Sequence, residues 1–458
     1  MNIINPATNQ VIQTVSEDTK ETLVQRLAAL KHGQTTWQKV SLTDRVACLQ
    51  RFHDLLETNK EDLAATLTSE TGKPLAQSRN EINGAKHRIQ WLCKNAATAL
   101  RDEWMSEEAG MGEKISYEPL GVVCNISAWN YPYLVGVNVF VPALLAGNAV
   151  LYKPSEFATL SGLAIEKLLV ESGVSKDVFS AAIGAREVGA TLLSMDFDGY
   201  FFTGSYATGQ YIYEQVAAKM VPCQLELGGK DPLYVADDVA DVAAVAAGTA
   251  DGAFYNNGQS CCAVERIYVH EKVYDQYVTA FVNEVKSWKV GAPTEDGVYI
   301  GALTRSAQIK VLAHQVKDAI DKGASLLTGG KKIENQGNFF EPTVLINVTN
   351  DMAVMQEESF GPIIGIMKVK DDAEAIKFMN DTAYGLTAAV YTTAQERAEY
   401  ILSQINSGTG YWNCCDRVSP GLPWSGRKHS GFGATLSYMG IRAFTKPKAY
   451  HLRGDWKK

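Results

Sequence analysis

The sequence predicts an α/β protein with two lobes, each built on an open sheet, and three observations lead to this fold class. The chain has 458 residues, which is more than one hydrophobic core usually organises. Hydrophobic residues make up 46% of it and charged residues 21%, as in an ordinary globular protein. Beyond residue 120, short apolar runs alternate with helical stretches in two successive blocks, a pattern typical of parallel sheets covered by helices.

Each element follows from the spacing of its apolar residues. The first hundred residues are predicted to be mostly helical, because Leu23, Leu27 and Leu30 recur at helical spacing. In the first alternating block the predicted elements are strands at residues 121–126, 149–152, 200–203 and 232–235 and a helix over 161–169. In the second block, from about residue 237 to 407, they are helices over 273–285 and 306–321 and strands at 266–269 and 388–391.

Composition argues against several classes of protein. The formal net charge of -8 gives no electrostatic reason to bind a phosphate backbone, so nucleic acid is not an expected partner. The eight cysteines lack C-x-x-C spacing and a histidine cluster, which predicts reduced thiols, no metal site and no disulfide framework. The N-terminus has no basic region followed by an apolar run, so a cytoplasmic protein is expected.

Residues 131–152 carry no charge and are long enough to raise the question of a membrane span. The segment contains prolines, glycines and asparagines, which disfavour a span. We therefore interpret it as a buried strand-turn-helix whose polar atoms face a site, and no membrane partner is expected.

The most informative residue is Cys261, which follows Asn257-Gly258-Gln259-Ser260 and lies downstream of the segment 225–230 that contains Glu226. A cysteine thiolate can attack a carbonyl carbon, and a nearby carboxylate can take a proton from the water that releases the product. The two residues together indicate acyl chemistry. The alternative for any one thiol of this chain is a small buried hydrophobic side chain.

Two segments have groups that suit a nucleotide. Lys153 and Glu156 follow an apolar strand, at the edge where open α/β sheets bind ligands, although a solvated turn has the same composition. Gly204 and Ser205 precede a helix whose free N–H groups can hold a pyrophosphate, but no intact G-x-G-x-x-G is present. Each segment alone leaves both interpretations open.

Two other turns offer polar groups. Asn130 precedes a proline, and its amide is a suitable donor for a developing oxyanion or a cap for the turn itself. Glu358 and Phe360 place a carboxylate and an aromatic ring on a turn that is otherwise a simple loop. The presence of all these segments in one chain favours a shared site.

These residues resemble the NAD(P)-dependent aldehyde dehydrogenase superfamily over nearly the whole chain. The resemblance rests on three motifs in the family's order and spacing: residues 225–230 (LELGGK), 257–261 (NGQSC) and 357–362 (EESFGP). It implies an α/β fold of two Rossmann-like open-sheet lobes, one for the cofactor and one catalytic, plus a small oligomerisation element. The implied domains are NAD-binding at 1–101 and 120–228, catalytic at 229–440, and oligomerisation segments at 102–119 and 441–458.

The resemblance also implies roles for single residues. Cys261, rather than Cys262, matches the nucleophile, Glu226 matches the general base, and Asn130 with the backbone N–H of Cys261 matches the oxyanion hole. An aldehyde would form a thiohemiacetal on Cys261, lose a hydride to the nicotinamide, and leave a thioester that Glu226 hydrolyses through water. The implied cofactor contacts are Trp129, Lys153, Ser155, Glu156, Gly204, Ser205, Leu227, Gly228, Glu358 and Phe360.

The aldehyde itself is left open by the implied pocket. Tyr131 and Trp424 resemble the aromatic pair with which betaine aldehyde dehydrogenases hold a trimethylammonium group, but Asn138 stands where that subgroup has another tryptophan. Arg417 is either a carboxylate contact for a substrate such as succinate semialdehyde or a surface arginine. The implied pocket residues are Tyr131, Leu134, Asn138, Ser260, Cys262, Arg417, Val418 and Trp424.

The remaining expectations concern cofactor choice, product and assembly. Glu156 should repel a 2'-phosphate, so NAD is expected over NADP, which stays possible. Acylating relatives tend to lack the base that Glu226 matches, so hydrolysis to the acid is expected rather than transfer to coenzyme A. The family implies a homodimer or homotetramer acting on a small-molecule aldehyde. A catalytically silent structural relative and a cofactor-free thiol esterase are the alternatives.

Overall fold

The computed structural model describes residues 1–108, 110–334 and 337–454, and its helices cover both faces of two open sheets. The helices are α1 (Lys20–Trp37), α2 (Leu42–Thr58), α3 (Lys60–Thr71), α4 (Leu75–Leu100), α5 (Pro132–Leu145), α6 (Thr159–Glu171), α7 (Arg186–Ser194), α8 (Tyr206–Val216), α9 (Val242–Phe254), α10 (Tyr274–Ser287), α11 (Ser306–Asp321), α12 (Ala353–Gln356), α13 (Asp372–Asn380), α14 (Gln395–Ser403) and α15 (Ser437–Arg442). The first hundred residues are mostly helical, as predicted.

The strands alternate with these helices along the chain. They are β1 (Asn2–Asn5), β2 (Gln10–Thr14), β3 (Glu103–Glu108), β4 (Met111–Pro119), β5 (Val122–Ile126), β6 (Ala149–Lys153), β7 (Phe179–Ala181), β8 (Gly199–Thr203), β9 (Cys223–Glu226), β10 (Asp231–Val235), β11 (Val264–His270), β12 (Lys289–Val290), β13 (Val298–Ile300), β14 (Ser325–Thr328), β15 (Thr343–Ile346), β16 (Ile363–Val369), β17 (Tyr384–Gly385), β18 (Thr387–Tyr391), β19 (Thr409–Trp412), β20 (Arg427–Lys428), β21 (Gly431–Phe432) and β22 (Thr445–Arg453). The predicted α/β fold class is confirmed.

The first large sheet has the order β21-β9-β8-β5-β6-β7 and is parallel except at β21. Successive residues of β6 point into different cores, because Ala149 and Leu151 join one apolar cluster while Val150 and Tyr152 join another. A strand buried on both faces is what a parallel sheet between two helical layers requires. The carboxyl ends of β6, β8 and β9 therefore reach one edge of this sheet.

The second large sheet has the order β14-β15-β16-β11-β10-β18-β19 and is parallel except at β14. The run at 232–235, predicted with the first alternating block, belongs here as β10, because it pairs with β11 and β18. Its strand character is visible in the sequence, but its sheet is decided by these partners from later in the chain.

The segment 131–152 forms a helix followed by a strand, the reverse of the predicted strand-turn-helix. Pro132 starts α5, where its missing N–H is tolerated, and the chain then turns at Gly147 into β6. All residues of α5 except Leu134 are buried, which accounts for the lack of charge. In the part of the chain that the structure describes, no helix has the length and apolar character that crossing a membrane requires.

A small antiparallel sheet, β22-β4-β3, joins two distant parts of the chain. The strands β4 and β22 pair over nine residues, from Pro119 opposite Thr445 to Met111 opposite Arg453. This sheet lies within the segments 102–119 and 441–458 that are predicted for oligomerisation. Residue 109 and residues 455–458 of those segments lie outside the described residues.

Candidate active site

Cys261 lies on a tight loop between α9 and β11. Asn256, Asn257 and Gly258 have φ angles of 53°, 57° and 68°, a left-handed run that asparagine and glycine adopt more readily than other residues. At Gly258 a Cβ would come within 2.4 Å of the carbonyl oxygen of Gly361, so a side chain does not fit. This loop carries the thiol of Cys261 to a half-buried position.

Hydrogen bonds within the second lobe fix the loop. The Asn257 side chain donates to the carbonyl of Ala302 at 3.0 Å and accepts from the N–H of Gly301 at 2.9 Å. The side-chain carbonyl of Gln259 accepts from the N–H of Thr304 at 3.0 Å. The motif residues before Cys261 therefore serve as a scaffold for it.

Asn130 lies next to this loop. Its side chain is buried, and its Nδ2 donates to the carbonyl of Gln259 at 3.0 Å. An amide nitrogen has two hydrogens, so one donor remains for another acceptor near Cys261. The structure thus brings Asn130 to the nucleophile loop, as the oxyanion prediction requires.

A buried ion pair binds the main chain of Asn130. Lys73 and Glu81 are both buried and paired, and the ammonium of Lys73 donates to the main-chain carbonyl of Asn130 at 2.7 Å. Glu81 in turn accepts from the N–H of Tyr133 at 2.9 Å. Through these two hydrogen bonds the ion pair fixes the main chain from Asn130 to Tyr133. No motif marks it in the sequence.

Glu226 ends β9 in the first sheet, and the residues after it pack on the nucleophile loop. At Gly229 a Cβ would lie 2.5 Å from the carbonyl oxygen of Cys261, which shows how closely the two segments approach. Burial raises the pKa of Glu226 to about 7, while a hydrogen bond from the hydroxyl of Thr435 and the charge of Arg88 lower it. A carboxylate with this pKa can act as a base near neutral pH.

The adjacent thiols have different surroundings. Cys262 is 5% exposed, and a hydrogen bond with Cys261, followed by burial, holds the pKa of Cys262 well above its ordinary value. A thiol kept protonated is a poor nucleophile. Cys262 also donates to the carboxylate of Asp416 at 3.1 Å, as does the hydroxyl of Ser260.

Apolar side chains form a wall beside the thiols. Cys262, Trp424, Leu386 and Leu436 make one buried cluster, against which Cys261 and Val418 pack. The sequence predicted Cys262, Val418 and Trp424 for the pocket but missed the two leucines and Asp416, which lie in no motif. Burial raises the pKa of Asp416 to about 7.

Arg417 has a different position from the other predicted pocket residues. Arg417 is exposed and lines a cleft beside α9 together with Asp241 and Cys414. Its main-chain carbonyl accepts a hydrogen bond from the hydroxyl of Tyr411. The assignment of Arg417 to the substrate pocket stays a prediction.

The predicted cofactor residues lie at the carboxyl edge of the first sheet. Lys153 ends β6 and is 5% exposed, and its ammonium donates to the carbonyl of Pro154 at 3.3 Å. Ser155 donates to the carboxylate of Glu156 at 3.2 Å. Gly204 and Ser205 connect β8 to α8, and within the described residues no side chain caps the start of that helix.

The other side of this region is aromatic and acidic. The rings of Trp129 and Phe360 meet edge to face with centroids 5.4 Å apart. Leu227 is buried, and at Gly228 a Cβ would lie 2.1 Å from the carboxylate of Glu358, so a side chain there would displace that carboxylate. Burial raises the pKa of Glu358 to about 8. Buried cationic, acidic and aromatic groups around one sheet edge fit the ribose, pyrophosphate and ring of a dinucleotide.

A second buried ion pair holds the turn that carries Phe360. Lys230 pairs with Glu265 at 2.6 Å, and Glu265 also accepts from the N–H groups of Ser359 and Phe360 at 2.8 and 3.0 Å. The hydroxyl of Ser359 accepts from Lys230 at 2.9 Å. This pair fixes the turn of Phe360 as Lys73 and Glu81 fix the turn of Asn130.

The fold and these motifs are those of a known family. The family model described as "Aldehyde dehydrogenase family" matches residues 1–450, and the chain belongs to that family. A glutarate-semialdehyde dehydrogenase of Pseudomonas putida is 33% identical over 97% of this chain and 93% of its own length. A peroxisomal aminoaldehyde dehydrogenase of Pisum sativum is 34% identical over 97% of this chain and 91% of its own.

Solved structures agree with this membership. The NAD-dependent aldehyde dehydrogenase of Sinorhizobium meliloti superposes with a TM-score of 0.95 at 30% identity, covering 99% of this chain and 91% of that one. The predicted family and its Rossmann-like architecture are therefore confirmed.

Proposed function

We propose that this protein oxidises an aldehyde to its carboxylic acid with NAD and without acyl transfer to coenzyme A. The observation that carries the proposal is the convergence of three groups from different parts of the chain. The Asn130 amide bonds the loop of Cys261, and the segment after Glu226 packs on the carbonyl of Cys261. A nucleophile, an oxyanion donor and a base are the groups that this chemistry needs.

Each residue has one task in the proposed reaction. The thiolate of Cys261 adds to the aldehyde carbon, and Asn130 Nδ2 with the N–H of Cys261 stabilises the alkoxide of the thiohemiacetal. The nicotinamide cofactor, when bound, supplies the hydride acceptor. Glu226 then takes a proton from the water that attacks the resulting Cys261 thioester, and the acid leaves.

The cofactor proposal rests on the residues at the edge of the first sheet. Lys153 and Glu156 would hold the adenosine ribose, Gly204 and Ser205 the pyrophosphate, and Glu358 with Phe360 the nicotinamide side. Glu156 supports NAD over NADP, because its carboxylate would repel a 2'-phosphate. A higher kcat/KM with NADP than with NAD would contradict this preference.

The domain division and the assembly are also proposals. Residues 1–101 and 120–228 would form the cofactor domain and 229–440 the catalytic domain, a division that the two large sheets support. The antiparallel sheet of β3, β4 and β22, with Trp104 39% and Met105 60% exposed, supports a role in a homodimer or homotetramer. A cytoplasmic location stays a prediction.

The test is to add an aldehyde to the protein and NAD and to measure the formation of reduced NAD by its absorbance. Cys261→Ala should abolish the signal, while Cys262→Ala, which removes the neighbouring thiol, should retain turnover. If Cys262→Ala lost the signal and Cys261→Ala kept it, the nucleophile would be Cys262 instead of Cys261. A chain that reduces no NAD with any aldehyde but cleaves activated esters would be a thiol esterase, and one that does neither would be a structural relative.

A further inference from the structure

A buried arginine lies against the pocket and takes no part in the steps above. Arg88 is on α4, is 8% exposed, and donates through Nη1 to the carbonyl of Leu134 at 3.0 Å and to Asn138 Oδ1 at 2.9 Å. Both acceptors belong to α5 and to the pocket predicted from the sequence. The helix α4 comes close there, because at Gly84 a Cβ would lie 3.0 Å from the Leu134 side chain.

Among the described residues, the charge of Arg88 has no carboxylate partner. Lys73 and Lys230, which are also buried, each have one. Arg266, fully buried, is surrounded by carbonyl and hydroxyl oxygens, at 2.8 to 3.0 Å for the nearest of them. Across the ranges that the structure describes, no carboxylate oxygen lies within 4.0 Å of Arg88. A buried cation left in this state is costly unless a ligand neutralises it.

Titratable groups of the proposed site act on the charge of Arg88. Burial lowers the pKa of Arg88, while the charges of Glu226, Cys262, Cys261 and Glu81 act in the opposite direction. Arg88 therefore lies within electrostatic range of the residues proposed for catalysis, and its hydrogen bonds to Leu134 and Asn138 hold it beside α5.

We propose that Arg88, oriented by Asn138, binds a carboxylate of the substrate, so that the preferred aldehydes carry a carboxylate at the end remote from the carbonyl. This inference rests on the proposed aldehyde oxidation. A guanidinium presents five N–H donors in a planar fork that matches a carboxylate, and the two bonds described above engage Nη1 alone. The Nε–Nη2 edge suits a bidentate contact.

The same pocket is less suited to a cationic substrate. The ring of Tyr131 already has the ammonium of Lys73 at 4.0 Å from its centroid, so one face of the expected cation–π site is taken. The carboxylate of Asp416, the other candidate for binding an amine, already accepts hydrogen bonds from Ser260 and Cys262. Arg88 adds a repulsive charge for any amino-aldehyde.

The test compares aldehydes that differ in one group. Omega-carboxylated aldehydes of increasing chain length are paired with alkanals and amino-aldehydes of equal length, and kcat/KM is measured with NAD. We expect the wild type to prefer the carboxylated member. In Arg88→Met the ratio of carboxylated to neutral kcat/KM should fall about 100-fold, since a buried charged contact is lost.

Two variants control this experiment. Arg88→Lys keeps the charge without the planar fork and should reduce the ratio less than Arg88→Met. Arg417→Met removes the competing arginine and should leave the ratio as in the wild type. Collapse of the ratio in Arg417→Met instead would overturn the assignment to Arg88.

Binding gives an independent measurement. A dicarboxylate product should slow the alkylation of Cys261 by iodoacetamide in the wild type, and more strongly than its monoamide does. In Arg88→Met this difference should disappear. Equal protection by both compounds in the wild type would overturn the proposal.

The outcomes separate this inference from the proposed function. If no aldehyde reduces NAD, aldehyde oxidation itself is wrong. If alkanals or amino-aldehydes are preferred, aldehyde oxidation stands and carboxylate binding is overturned. A loss in Arg88→Met that is equal for all aldehydes would also overturn it and make Arg88 a positioning residue.

Discussion

Two regions of the molecule differ in whether a carboxylate lies beside each buried cation. Under the loops of the site, Lys73 and Lys230 each pair with a glutamate that also binds backbone N–H groups. Facing the spaces proposed for cofactor and substrate, Lys153 and Arg88 are buried without a carboxylate within 4.0 Å in the described chain. The two lysines under the loops are therefore neutralised by glutamates, whereas Lys153 and Arg88 are left for ligands.

The largest expected effect comes from breaking an internal pair. Glu265→Gln leaves Lys230 charged and buried, and the free energy of unfolding should fall by about 3–5 kcal/mol. A shift of the urea midpoint at unchanged slope measures this loss. The double variant Lys230→Met with Glu265→Leu should recover part of it, because no buried charge remains there. No recovery would mean that the bonds to Ser359 and Phe360 dominate.

The next effect concerns the cation at the cofactor surface. Lys153→Met should raise the KM for NAD by roughly 10- to 100-fold, since it loses a charged hydrogen bond to the ribose. Its urea midpoint should stay close to that of the wild type, in contrast to Glu265→Gln. A large loss of stability with an unchanged KM would place Lys153 in the framework class instead.

The substitution Arg88→Met is expected to change the free energy of unfolding less than Glu265→Gln does. Replacing an unpaired buried cation with an apolar side chain of similar length should change the free energy of unfolding by about 1 kcal/mol or less. Urea titration beside Glu265→Gln gives the comparison directly. A destabilisation as large as that of Glu265→Gln would show that Arg88 is part of the framework.

The smallest expected effect is on pH dependence. Glu226 must be deprotonated to act as a base, so thioester hydrolysis should rise with pH through about 7. The charge of Arg88 lowers the pKa of Glu226, so Arg88→Met should move this rise to higher pH. Single-turnover measurements of the hydrolysis step at several pH values test the direction. A shift to lower pH would contradict it.

The residues proposed for catalysis can be predicted from the sequence because they lie in contiguous motifs. A few neighbouring residues indicate Cys261 and Glu226, and the helix predicted over 306–321 has those bounds in the structure. The strand at 232–235 is visible in the sequence, but the pattern groups it with the first alternating block, because its pairing with β18 involves residues about 150 positions away. Strand pairing over such distances leaves little local signal.

The buried cations could not be assigned roles from the sequence for a related reason. Lys73 and Arg88 lie in or beside α4 among ordinary helix-forming residues. Lys73 pairs with Glu81 of α4 and binds the Asn130 turn, and Arg88 binds α5. Whether a lysine or arginine is buried, and whether a carboxylate meets it, depends on helix packing. The pattern of residues shows the helix but not its charge balance.

The late strands of the first lobe also constrain when that lobe can be completed. The strand β21 covers the edge of β9, and Phe444 stacks on Phe201 with ring centroids 4.3 Å apart, so the first sheet is finished by residues made some 200 positions later. During synthesis on the ribosome, the edge of β9 stays open while the second lobe is translated. An unpaired strand edge can pair with another chain, so the nascent chain is prone to aggregation until β21 has been made.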